Sequence, residues 1–271
     1  MNEISVVFGA ERHLVGTLTL PVGTPARAAF VLLNAGVIHR VGPHRINVKL
    51  ARHLAGLGFA SLRFDLGGQG DSRSPSTSAP WSEQAVTEIR AAMDHLARTV
   101  DVHRFAIAGI CSGADNGWNT AQVDERVVGL CQIDGPAYPT DRTRSMRLRT
   151  RLAGPILGEI VPWVRRKLAE KARASDPDVQ SDNGRQLPSR DTYARTMQSL
   201  VDRGVNVCAV FTGSMQAQYS YEDQYREAFA GHGFVDRVRA EYQPTIDHTV
   251  TPIAAQKRLL DLVGDWANVL K

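Results

Sequence analysis

The segment Ala106-Ile107-Ala108-Gly109-Ile110-Cys111-Ser112-Gly113-Ala114-Asp115 sets a thiol midway between two glycines, each two residues from it. Phe105 to Gly109 is a short apolar run suited to a buried strand, and a helix-compatible stretch follows. A nucleophile held on a strand–turn–helix bend occupies a strained turn. Its neighbours two residues before and after must be small, because backbone passes close by. Ser112 is the rival nucleophile, but in its register the crowded earlier position would be Ile110, and a β-branched side chain disfavours that choice. The competing reading of Cys111 is a buried small hydrophobe, as most free cysteines are. The glycine spacing favours the reactive thiol.

The elements that would position this bend alternate along the chain. Ile4–Phe8 and His13–Leu20 alternate apolar and polar residues around Gly9-Ala10-Glu11-Arg12, which predicts an antiparallel hairpin. Ala28–Leu33 and Phe59–Phe64 are continuous apolar runs of doubly covered strands, separated by helical spacing over Ile46–Leu57 that stops at Gly58. Asp65-Leu66-Gly67-Gly68-Gln69-Gly70-Asp71-Ser72 matches neither a phosphate loop nor a dinucleotide fingerprint and reads as loop architecture. Ser82 is a suitable N-cap for a helix to about Arg98, and Val127–Ile133 predicts a strand ending at Asp134. Residues 138–199 are arginine-rich, interrupted by prolines and without strand alternation, which predicts a helical cap inserted between core segments 1–137 and 200–271. Alternation returns with Val205–Phe211, a helix near Tyr221–Ala230, the strand Arg237–Tyr242 and a helix from Pro252 to Leu270. A mostly parallel sheet with helices on both faces and its site at the carboxyl ends of the strands is the expectation.

Whole-chain properties narrow the function classes. The 271 residues are 43% hydrophobic and 22% charged, ordinary for a globular domain. Neither a signal-type N-terminus nor an apolar stretch of bilayer length is visible, so a cytoplasmic location is expected. Cys111, Cys131 and Cys208 lack metal-site spacing and form no disulfide framework. The net charge of +4 is uneven, with ten Lys or Arg against two acids from Arg142 to Arg173. No nucleic-acid module accompanies that patch, which suits an anionic substrate group, a carrier protein, an acidic membrane surface or a solvated helical face.

The sequence resembles the α/β-hydrolases, and within them the serine-aminopeptidase-like and exosortase-associated hydrolases. The resemblance rests on Leu33-Asn34-Ala35-Gly36, His39 through Arg45, Leu62-Arg63-Phe64-Asp65 through Gly70-Asp71-Ser72, the elbow, and Asp247-His248-Thr249. It implies an α/β-hydrolase fold, with a nucleophile followed later in the chain by a histidine base, which selects His248. His13, His53, His95, His103 and His232 read as surface or structural, whereas His39 and His44 are placed to reach a site. The family's acid commonly follows the strand that here ends at Phe211, but Gly213 through Gln218 contains no carboxylate. Asp134, Glu222 and Asp223 remain, and Asp134 is favoured because a strand end orients a partner rigidly; it could equally be only a turn residue before Gly135-Pro136. The backbone N–H groups of Ser112 and Val37 are the expected oxyanion donors. His39 and Arg40 would bind an anionic group or brace the cap; Tyr138, Trp163, Met197 and Tyr219 would line an acyl pocket or pack the core.

The resulting expectation is a cofactor-independent, metal-free acyl hydrolase or acyltransferase acting on an ester, lactone or thioester, with a small-molecule, carrier-protein-bound or coenzyme A-bound acyl group as donor. The alternative is a catalytically silent binding or scaffolding protein on the same fold.

Overall fold

The computed structural model describes residues 1–23, 28–153 and 187–270. Eight strands form one sheet in the order β1-β2-β4-β3-β5-β6-β7-β8. They are β1 (Asn2–Phe8), β2 (Leu14–Leu20), β3 (Ala29–Leu33), β4 (Ser61–Phe64), β5 (Phe105–Ile110), β6 (Val127–Ile133), β7 (Asn206–Thr212) and β8 (Val238–Gln243). Only the β1–β2 and β2–β4 pairs are antiparallel; every pair from β4 to β8 is parallel.

The helices are α1 (Ile46–Gly56), α2 (Trp81–Val100), α3 (Ser112–Val123), α4 (Asp141–Ala153), α5 (Arg190–Asp202), α6 (Gln224–Ala228) and α7 (Ile253–Ala267). The central strands bury both faces, and their period of two divides the core. Ala29, Val31 and Leu33 of β3 join one apolar cluster with Ile89 and Met93 of α2. Phe30 and Leu32 join another with Leu50 and Leu54 of α1 and Leu259 and Trp266 of α7. Phe30 meets Phe59 and Trp266 edge-on, with ring centroids 5.2 and 6.0 Å away. Burial of such a ring contributes about 2–3 kcal/mol.

Most boundaries shift by one to three residues from the sequence reading, and two differences bear on packing. The N-cap of α2 is Pro80 rather than Ser82, which falls in its first turn, since Pro80 already holds the extended backbone an N-cap needs. Helix α5, placed within the cap by sequence, packs on the sheet: Tyr193 and Met197 are buried in the same cluster as α2. Its apolar residues follow helical spacing, but nothing local to 190–202 tells a cap helix from a crossover helix. The centre of the expected cap, 154–186, lies outside the described residues. No helix among the described residues is long and apolar enough to cross a membrane.

Strand register prepares the site. The order turns back between β3 and β5, so the loops leaving their carboxyl ends diverge and open a crevice. Ile110 pairs with Ile133, and Ile133 with Val210, which sets the residues following β5, β6 and β7 side by side.

Candidate active site

Cys111 is the first residue beyond β5. Its φ of 56° and ψ of −119° are strained for a side chain with a Cβ. The strain is held from both sides: its N–H donates to Ile133 O at 2.8 Å, while its carbonyl accepts the N–H groups of Ala114 and Asp115 at the start of α3. A Cβ on Gly109 would fall on the carbonyl of Gly113, so the two small residues around Cys111 are required by backbone contact. The thiol therefore sits at the N-terminus of a twelve-residue helix, where the helix dipole and open N–H groups favour negative charge.

Asp134 leaves β6 in the same row. Its carboxylate is fully buried, accepting the Thr212 N–H at Oδ1 and the Thr212 hydroxyl at Oδ2, both at 2.8 Å. Oδ2 also lies 2.6 Å from Nδ1 of His248. His248 arrives on the loop between β8 and α7. That loop is fastened by Gly213 N–H to Ile246 O at 2.8 Å and by His248 N–H to Ser214 Oγ at 2.9 Å. A Cβ on Gly213 would collide with the Pro244 carbonyl. The position just after β7 is thus filled by backbone, and the imidazole is served by a carboxylate one strand earlier. Glu222 and Asp223 are exposed around another surface hollow.

His248 hydrogen-bonds Asp134 and Cys111 together, and these contacts push its pKa up from 6.5 to about 10, against an opposing desolvation. Asp134 has the larger effect. The ring is therefore an imidazolium at neutral pH, flanked by a buried carboxylate and a sulfur that can carry the compensating charge.

Ser112 and Val37 meet at the mouth of a cavity of about 870 Å³ beside the elbow. Ser112 begins α3 instead of occupying the strained bend, and its hydroxyl accepts the Gly36 N–H at 2.6 Å. Sequence reasoning weighed it as a nucleophile and an N–H donor; the structure adds a clamp joining the elbow to the turn after β3. The N–H of Ser112 is one of the donors left open at a helix start.

His39 and Arg40 do not present themselves to this cavity. The Arg40 guanidinium bonds Asp65 and also donates to Asp71 at 2.7 Å, and its backbone N–H donates to Asp65 Oδ1 at 2.5 Å. His39 Nε2 accepts from the same guanidinium at 2.7 Å. Of the two roles open to this pair, the contacts favour bracing over anion binding, because two carboxylates already pair with the cation. His39, Asp65 and Asp71 have metal-ligand types with donor atoms within 4.8 Å of one another, but the Arg40 guanidinium bonds all three and serves as the cation. His44 turns to Thr251, with Nε2 3.2 Å from Oγ1.

Tyr219 is also reassigned: it is buried, stacked on Phe211 at 3.9 Å, with its hydroxyl donating to Glu222 O. Tyr138 packs against Tyr193 and Phe229 and donates to Pro188 O at 2.8 Å, and Met197 is core. Trp163 lies outside the described residues. Thr212 and Ser214 were missed by sequence reasoning, and only the absence of a carboxylate after Phe211 pointed to that turn.

No protein-family model matches the sequence, and no curated protein matches it. Solved structures do match over nearly the whole chain. An esterase from Pyrococcus furiosus has a TM-score of 0.62 at 14% identity, covering 99% of this chain and 91% of its own. An alpha-beta serine hydrolase homologue from Coxiella burnetii gives 0.57 at 14% identity, covering 97% and 96%. A dienelactone hydrolase from Anabaena variabilis gives 0.57 at 16% identity, covering 99% and 98%. At these identities the likeness establishes the α/β-hydrolase fold.

Proposed function

We propose that this chain is a cofactor-independent acyl hydrolase or acyltransferase with Cys111 as nucleophile, His248 as proton carrier and Asp134 as the group that orients His248. The observation that carries the reading is His248 hydrogen-bonded at once to Cys111 and to fully buried Asp134, with the thiol on a strained turn at a helix start. Neighbours of the same fold that are described as esterases and hydrolases support the reaction class.

In the resting pair the proton already sits on His248, and the Cys111 thiolate attacks the acyl carbon. The Ser112 N–H, with that of Val37 across the crevice, would stabilise the oxyanion. The bond from the acyl carbon to the leaving oxygen or sulfur breaks as His248 returns its proton to that atom. Water or another nucleophile then gives its proton to the neutral His248 ring and displaces the Cys111 sulfur as thiolate, regenerating the thiolate–imidazolium pair. Thioester exchange nearly balances in energy, so a coenzyme A- or carrier-bound acyl group is the favoured donor, its phosphates matching in charge the basic sequence 142–173. The free thiols of Cys131 and Cys208, register partners on β6 and β7, suit a reducing cytoplasm.

Intact mass spectrometry after incubation with acyl thioesters tests this. The expected result is one acyl group, mapped to Cys111 and missing from Cys111→Ala. Full turnover by Cys111→Ala would overturn the assignment, and a thiol inert to both acyl donors and iodoacetamide would favour the scaffold reading.

A further inference from the structure

We propose that the cavity beside the elbow is a subsite for a polyhydroxylated acyl group, of the hydroxy-acid or sugar-acid kind, rather than for an alkyl chain. The proposal rests on Cys111 being the nucleophile. One wall of the cavity is Ser112, Asp115, Asn116 and Asn119, residues i, i+3, i+4 and i+7 of α3. That spacing makes one helical face, and a face turned to an alkyl pocket would be apolar. Here every position can form hydrogen bonds.

Three amides on the wall, those of Gln69, Asn116 and Asn119, take no side-chain hydrogen bond among the described residues. Asn116 is 8% exposed as a residue and borders the cavity. Amides that line a site give up their water when a ligand enters; a ligand bearing both donors and acceptors replaces those bonds, whereas a hydrocarbon strands them. The half-exposed indole of Trp81 supplies an apolar plane at the rim, suited to the C–H face of a hydroxylated ring. The carboxylate of Asp115 disfavours an anionic ligand group.

The cavity's position assigns it to the acyl side. The leaving group must stand beside the imidazole that protonates it, and neither His248 nor Asp134 borders this space, which reaches the elbow through Ser112, the residue after Cys111. It extends from Ser112 and Val37, where the oxyanion would be held, toward the start of α2.

The test uses N-acetylcysteamine thioesters of cyclohexanecarboxylic acid and of its trihydroxylated counterpart, which share skeleton and leaving group. Wild-type kcat/KM should favour the hydroxylated ester by at least about tenfold, because a site built for hydroxyls rejects analogues lacking them. Asn119→Leu, a change at a partly exposed position, should narrow that ratio. Equal rates, preference for the plain ring, preference for an aminoacyl thioester over both, or a ratio unmoved by Asn119→Leu would overturn the subsite. An acetyl thioester separates the two failures. Acetylation of Cys111 without ring discrimination rejects the subsite alone, and no acylation by any thioester rejects the nucleophile and the subsite with it.

Discussion

Two clusters of charge lie along the same sheet edge and end in opposite states. Around Asp65, a carboxylate as deeply buried as Asp134, the Arg40 guanidinium is held by Asp65 and Asp71, and His39 is bonded to that guanidinium. Around Asp134, the charge passes through His248 to a thiol that has a bond still to make. A cluster whose charges pair with one another holds a loop; one that ends in a thiol is, on the proposed function, able to react. Counting titratable residues does not separate them, and the identity of the last atom in the chain does.

Removing that last atom should have the largest effect. Cys111→Ala is expected to lower kcat/KM by on the order of 10⁴-fold or more, measured on an activated thioester, while leaving the fold intact by circular dichroism. Asp134→Asn should follow, with a loss of about 10²–10⁴-fold. It also removes the chief cause of the raised His248 pKa, so the basic limb of the rate profile should move from near pH 10 toward 6.5. The linked stability has a defined sign. A pKa raised from 6.5 to about 10 stabilises the fold fully below pH 6.5, and that contribution is lost as pH rises through 10. Denaturant titrations of wild type and His248→Gln should therefore converge at high pH.

The Arg40 cluster should answer in stability rather than chemistry. Arg40→Met leaves buried Asp65 facing only the His39 ring, 3.5 Å away, in place of the guanidinium and is expected to cost about 3–5 kcal/mol, read as a lower midpoint in denaturant. Cys111 should remain open to acylation in that variant wherever it is folded. Ser112→Ala should have the smallest effect. Loss of the bond to Gly36 costs about 1 kcal/mol and slows turnover several-fold, whereas a serine nucleophile would make the same change abolish activity.

The same contrast explains what could be read in the sequence. Strand alternation, the glycines around Cys111 and the order of Cys111 before His248 are local or ordinal signals, and the sheet and the bend follow from them. Asp134 was one of three candidates, because its partner is 114 residues away and only the pairing of β5, β6 and β7 brings the strand ends together. Thr212 and Ser214 carry no local mark of their roles. His39 and Arg40 admit either a ligand or a bracing role in sequence, because nothing local reveals that Asp65 and Asp71, 25 and 31 residues beyond Arg40, fold back onto it. Tyr219 read as a pocket residue because aromatic composition does not reveal that its ring lies on Phe211.

The central claim is that His248 is an imidazolium coupled to Asp134 and Cys111, and its titration by ¹⁵N NMR, assigned by comparison with His248→Gln, tests this directly. The ring should stay doubly protonated through neutral pH and titrate near 10 in the wild type, falling in both Asp134→Asn and Cys111→Ala. A wild-type ring titrating at its ordinary value of 6.5, unmoved by either substitution, would contradict the account.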